Sequence, residues 1–131
     1  MSMKPFKLSK TDRSVLRDVI QVAEADNFPA LIGHSGYRFV RICRRNVSVY
    51  RCKQLGIILK RFNFILMPTT PLRVRVPTIN IDGEWVAQPI VKRIKTKIAV
   101  TLIRKQIGEM QCDLHTGNVG WLNGKPLMFD W

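Results

Sequence analysis

Residues 31–53, LIGHSGYRFVRICRRNVSVYRCK, are crowded with β-branched and aromatic side chains, and only short polar breaks interrupt them. A segment of this composition is confined to strands, and RRN at 44–46 supplies a turn. Two or three antiparallel strands are expected here. Further along, LRVRVPTINI alternates apolar and polar residues and leads into IDGEW, where Asp82-Gly83 is a hairpin signal. WVAQPIV then reads as the returning strand. Residues 54–67, QLGIILKRFNFILM, fit either a short helix or a further strand, and Pro68 and Pro71 end them.

Helical patterns flank this β-rich stretch. Leu16, Val19, Ile20 and Ala23 recur at helical spacing over residues 12–25, with Ser9 or Thr11 as the cap and Asn27 and Pro29 as the stop. Over residues 91–108, Val91, Ile94, Ile98, Leu102 and Ile107 are expected on one face of a long helix, with Lys92, Arg93, Lys95 and Lys97 on the other and Gly108 closing it. A loop, a strand NVGWL, an Asn123-Gly124 turn and a strand PLMFDW follow. The order is helix, mostly antiparallel sheet, long helix, terminal hairpin, an α+β layout.

A chain of 131 residues makes one domain with a core that needs no staples. The three cysteines, Cys43, Cys52 and Cys112, are odd in number and lack a CxxC pair, so they read as buried thiols in a reducing compartment. MSMKPFKLSK has no signal-peptide core, and LGIIL at 55–59 is far too short to span a bilayer. A cytoplasmic location off the membrane is expected.

Charge is unevenly placed. There are 22 basic residues against 9 acidic ones, a net charge of +13. From Asn27 to Ile81 no Asp or Glu occurs, while Arg38, Arg41, Arg44, Arg45, Arg51, Lys53, Lys60, Arg61, Arg73 and Arg75 do. Such a field draws in polyanions: nucleotide phosphates, an acidic protein or nucleic acid. No zinc finger, helix-turn-helix or basic–aromatic RNA motif accompanies it, so a purpose-built nucleic-acid reader is disfavoured.

Near the carboxyl end, Asp113 and Asn118 are set in DLHTGN, and Asp130 follows an Asn-Gly turn in FDW. Phosphoryl transfer needs a carboxylate to orient the acceptor hydroxyl and hard oxygen ligands to hold Mg2+ against the nucleotide phosphates. A loop after a long helix can hold the first carboxylate and an amide, and a hairpin can return the second carboxylate over it.

DLHTGN resembles the D-x-x-x-x-N catalytic loop, and FDW the metal-binding Asp strand, of the protein-kinase-like and aminoglycoside-phosphotransferase-like superfamily. The resemblance implies Asp113 as catalytic base and Asn118 and Asp130 as Mg2+ ligands, with ATP as the cofactor. IGHSGYRFV resembles the glycine-rich loop of these enzymes, which implies that Gly33 and Gly36 approach the phosphates. WVAQPIV resembles the strand entering the hinge where adenine docks. The lysine on the family's third strand corresponds to Arg51 or Lys53, which a strand would point to one face. Its usual glutamate partner has no equivalent, since no acid lies between Lys53 and Asp82; Glu24 is the substitute to consider. Gln111 stands where the family carries histidine, and no activation segment follows Trp131.

The fold so implied is a reduced protein-kinase-like one: a helical arm at 1–30, an antiparallel-sheet first lobe at 31–90, and a truncated second lobe at 91–131. The function implied is Mg-ATP-dependent phosphotransfer to a protein or small-molecule hydroxyl. The alternative is a catalytically weak, pseudokinase-like binding or inhibitory module, of the kind phages encode and acting in the host cytoplasm, that docks to an acidic partner or nucleic acid through its basic face. An uncovered apolar face would favour a homodimer. His115 would either assist phosphate transfer or bond within its own loop. Trp85, Trp121 and Trp131 read as core or hinge packing. His34 and Ser35 adjoin in GHSG, but the G-x-S-x-G elbow is absent and the sequence locates no third group to orient a Ser–His pair.

Overall fold

Ser9 begins the first helix, α1 (Lys10–Ala25), by a reciprocal cap: its Oγ accepts from the Asp12 N–H at 3.0 Å, and Asp12 Oδ2 accepts from the Ser9 N–H at 3.3 Å. Ser9 rather than Thr11 is therefore the cap. Val15, Leu16, Val19, Ile20 and Ala23 are buried along one side of the helix. Beyond Ala25 the chain reverses through Asn27 and Phe28, both at positive φ. Two anchors fix the exit: Arg41 donates to the Phe28 carbonyl at 2.8 Å, and the Tyr50 hydroxyl donates to the Pro29 carbonyl at 3.1 Å.

The structure is a computed structural model that describes residues 6–44, 47–61, 70–108 and 114–129. Its described part is α+β: two α-helices, a six-stranded antiparallel sheet and a separate two-stranded hairpin. The large sheet is built from β1 (Leu31–His34), β2 (Tyr37–Arg44), β3 (Val47–Cys52), β4 (Ile57–Arg61), β5 (Ile79–Asp82) and β6 (Trp85–Pro89), in the spatial order β1-β2-β3-β4-β6-β5. The open choice over residues 54–67 resolves to a strand for β4; residues 62–69 lie outside the described residues. Asp82-Gly83 does begin the β5–β6 turn.

Alternation assigns the two faces of the sheet. Phe39, Tyr50, Cys52, Ile57, Leu59, Trp85 and Ala87 share one core with the apolar stripe of α1. The helix thus supplies Val15, Leu16, Val19, Ile20 and Ala23 to this core. Cys52 is a buried free thiol in the same core. Trp85 stacks on Phe28 with ring centroids 6.2 Å apart, as the packing role expected of it requires.

The chain divides into two compact units. The first comprises Lys4–Phe64 and Thr78–Ile90, hence α1 and the sheet; the second comprises Met1–Met3, Ile65–Pro77 and Val91–Trp131. In the second, α2 (Thr96–Ile107) packs on a hairpin of β7 (Val119–Leu122) and β8 (Lys125–Met128), joined by Asn123-Gly124 as the sequence predicts. The LRVRV stretch, expected to be strand, instead forms a 3-10 turn at Leu72–Val74, and the Val76 N–H bonds to the Met128 carbonyl at 2.7 Å. Pro77, which has no N–H to donate, then separates this segment from β5.

The face expected of the second helix is corrected. Ala99, Ile103 and Ile107 are its buried residues, joined in one core with Val74, Val119 and Met128. Ile98 and Leu102 are exposed at 52% and 38%, and Val91 and Ile94 precede the helix. The sequence KTKIAVTLIRKQI carries two apolar stripes, and the one that contains small Ala99 admits the hairpin closely.

Two stability outcomes follow from this packing. Burial holds the Tyr50 phenol above its ordinary value of 10.0, with the Arg41 guanidinium opposing it. The folded state therefore keeps this proton more tightly than the unfolded chain. The resulting stability is intact below pH 10.0 and is lost as pH rises toward the folded value. Tyr50→Phe is expected to cost about 1 kcal/mol at neutral pH through the lost bond to Pro29, and to flatten the alkaline decline seen in urea titrations above and below that pH. In β7, a Cβ added at Gly120 would overlap the Val91 side chain and press on the Lys92 carbonyl. Gly120→Ala should destabilise by about 1–3 kcal/mol, read as a lower urea midpoint.

Candidate functional site

Asn118 is the polar centre of the second unit. It ends a short 3-10 turn, Thr116–Asn118, and is only 1% exposed. Its Oδ1 accepts from the His115 N–H at 3.3 Å, its own N–H donates to the His115 carbonyl at 3.2 Å, and its carbonyl accepts from the Phe129 N–H at 3.0 Å. The residue is held through its main chain on both sides and through its side-chain oxygen, and each of these bonds left unmet in a buried setting would cost about 1–3 kcal/mol. The residue before Asp130 is therefore fastened to Asn118, and so is the residue two beyond Asp113. Asp113 and Asp130 themselves lie outside the described residues.

The imidazole of His115 folds back on the loop, where Nδ1 accepts from the Gly117 N–H at 2.9 Å. Of the two roles considered for it, bonding within the loop is the one observed. Gly117 is required there, since any Cβ would collide with the imidazole ring. Arg93 ties the turn from outside: Nη2 donates to the Thr116 carbonyl at 3.0 Å, and the guanidinium lies 4.9 Å above the Phe129 ring. The sequence reading placed Arg93 on the polar face of a helix. Nothing in a run of basic residues distinguishes the one that will clamp a loop. Trp121 braces the same region, its indole N–H donating to the Ile94 carbonyl at 2.8 Å.

The front-half residues are placed as follows. Gly33 sits within β1 opposite Arg38, and Gly36 completes the two-residue turn to β2. Arg51 is exposed near the end of β3, paired with Val40 and Ile58. Lys53 does not share its face as expected, because the strand ends at Cys52 and Lys53 enters a turn closed by the Gly56 N–H on its carbonyl at 3.1 Å. Glu24 accepts from the Trp85 indole at 2.7 Å, so its carboxylate serves the core of the first unit.

Sequence reasoning counted Lys60 only as one cation of the basic stretch, and the structure sets it apart. It occupies the centre of β4, between Val49 on β3 and Val86 on β6, and is 5% exposed. Tyr50 and Leu59 point into the core shared with α1, so by alternation Arg51 and Lys60 share the opposite face as diagonal neighbours. A lysine this buried needs a partner for its ammonium, and Lys60 is not without one. The available signal was its position in IILKR, where the alternating strand carries a cation among aliphatics.

For a divalent cation, an amide oxygen and a carboxylate are the hard donors that Mg2+ takes. Asn118 carries an amide oxygen, which accepts from the His115 N–H, while the carboxylates of Asp113 and Asp130 lie outside the described residues; among the described residues no cluster of three His, Cys, Asp or Glu could hold a metal ion. Among the described residues no helix is long and apolar enough to cross a membrane. Comparison of the chain with protein-family models, with curated proteins and with solved structures finds no match.

Proposed function

We propose that this protein is a kinase-like phosphotransferase that binds Mg-ATP and transfers phosphate to a hydroxyl of a protein or small molecule. The observation that carries this reading is the bonding of Asn118 to both His115, through its side-chain and main-chain groups, and Phe129, through its main-chain carbonyl, which ties the segments flanking Asp113 and Asp130 to one buried residue. In this reading Asp113 orients the acceptor hydroxyl, and Asn118 and Asp130 hold the metal. Bound Mg2+ would supply charge neutralisation on the phosphates. An antiparallel sheet with a buried lysine at its centre supports the nucleotide half, and Lys60 is a stronger candidate for the phosphate-holding cation than Arg51 or Lys53. Burial raises the electrostatic worth of a cation several-fold over an exposed one.

A second reading is favoured by a separate observation. The outward side of α2 shows Ile98 and Leu102 beside Lys97, Arg104 and Lys105, all exposed. An acidic protein with apolar anchors would fit this side, and the protein would then act by docking rather than by turnover.

Melting curves with and without Mg-ATP separate the two. Nucleotide binding at a hundredfold excess over Kd stabilises by about 2.7 kcal/mol. That upward shift should vanish in Lys60→Met, which keeps the length and apolar stem of the side chain, and in Asp130→Ala. It should persist in Arg51→Met and Lys53→Met. Asp113→Ala should keep the shift yet lose transfer of labelled phosphate to generic acceptors. Absence of any nucleotide shift in the wild type would remove the first reading. A partner interaction that ignores salt would remove the second.

A further inference from the structure

Beside the start of α1 lies an open depression of about 430 Å3, lined among others by Lys10, Ser14, Val15, Asp18, His34 and Ser35. Three of these side chains form a continuous chain of contacts. Ser35 Oγ is 2.8 Å from His34 Nδ1, and His34 Nε2 is 3.3 Å from Asp18 Oδ2. Asp18 comes from the helix and the other two from the end of β1 and its turn, so packing of α1 on β1 assembles the array. We propose that Asp18, His34 and Ser35 form a nucleophilic acyl-transfer site for small esters of anionic character, separate from Lys60 and Asn118.

The carboxylate selects the tautomer. A proton on Nε2 is held by Asp18, which leaves the Nδ1 lone pair to accept the Ser35 hydroxyl proton. The two ring nitrogens are exchanged relative to the commonest arrangement of such triads, but each group keeps its role. The backbone at Ser35 is a second sign. Ser35 and Gly36 have φ of 52° and 82°, nearly the same as Asn123 and Gly124 at 51° and 78° in the other two-residue hairpin turn. That turn type favours Asn, Asp or Gly at its first position. Asn123 follows the preference, whereas serine at position 35 does not and is disfavoured there. A side chain kept in a disfavoured backbone position, with its hydroxyl on a carboxylate-oriented imidazole, is the strained and presented nucleophile that acyl transfer uses. Lys10 lines the same depression, and its ammonium suits an anionic ester and the oxyanion that forms from it.

The chemistry balances without a co-reactant other than water. Ser35 Oγ bonds to the ester carbonyl carbon as its proton moves to His34 Nδ1. The bond from that carbon to the alkoxy oxygen then breaks, and the leaving alcohol takes the proton from His34. Water repeats the sequence on the acyl-serine and releases the acid.

The test treats the full chain with a fluorophosphonate probe and maps the adduct by mass, alongside hydrolysis of p-nitrophenyl acetate and mono-p-nitrophenyl succinate. We expect an adduct on Ser35, faster turnover of the succinate ester, and a loss of about 100-fold in rate in Ser35→Gly. Glycine keeps the turn, and a preserved melting temperature would exclude misfolding. Asp18→Asn should lower the rate about tenfold or more while Ser35 stays labelled at high probe concentration. No adduct on Ser35 would overturn the proposal. So would a Ser35→Gly protein that hydrolyses as fast as wild type, since the imidazole alone would then account for the rate.

Discussion

Burial of the α1 stripe against the inward side chains of the six-stranded sheet is the interaction on which the first unit depends. Leu16, Val19 and Ala23 are wholly buried against a surface that includes Phe39, Tyr50, Leu59 and Ala87. The centre of the sheet is buried on both faces: a helix of 16 residues covers one, and Val49, Lys60, Val86 and Gln88 are buried on the other. Everything else in this unit follows from that choice of face. With Tyr50 and Leu59 committed inward, the pleat sends Arg51 and Lys60 outward from the helix, and a register slip of one residue would exchange them. The same packing brings Asp18 to His34, so one hydrophobic contact determines both where the buried cation lies and where the exposed relay forms.

The second unit has a different organising element, a buried polar one. Asn118 is sealed among Val119, Met128 and the residues of α2, yet it spends its hydrogen bonds on the loop before it and the strand after it. Apolar contacts alone would allow the hairpin to slide along α2. The bonds of Asn118 hold the loop and the end of the hairpin together as one piece, and Arg93 fastens the same turn from the solvent side.

The parts of this fold legible in the sequence were those dictated locally. Ser9 and Asp12 announce a capping box, and Asn123-Gly124 and Asp82-Gly83 announce hairpins, because in each case the chemistry that fixes the backbone lies within three or four residues. The parts that were not legible depend on what packs from elsewhere. Residues 96–107 carry apolar stripes on two sides, and only the hairpin that follows decides in favour of Ala99, Ile103 and Ile107. Lys60 reads as one more cation in a basic stretch until the neighbours of β4 are known. Of the terminal spacing of Asp113, Asn118 and Asp130, the described residues include only Asn118, whose bonds depend on partners on either side of it in the fold. His34 and Ser35 were visible as neighbours, but the carboxylate that orients them sits one helix away.

The strand order has a consequence for recognition. The outermost strands of the large sheet are β1 and β5, each only four residues long, and β5 carries an irregular register near Asn80, whose amide side chain turns back to the Gly83 carbonyl at 2.8 Å. Margins this brief and this interrupted offer little backbone for a visiting peptide to zip onto. Growth of the sheet by strand donation, and the stickiness that accompanies long open margins, are thereby curtailed. Recognition at this sheet then falls to its side chains, which is where its cations and its hydroxyls are displayed.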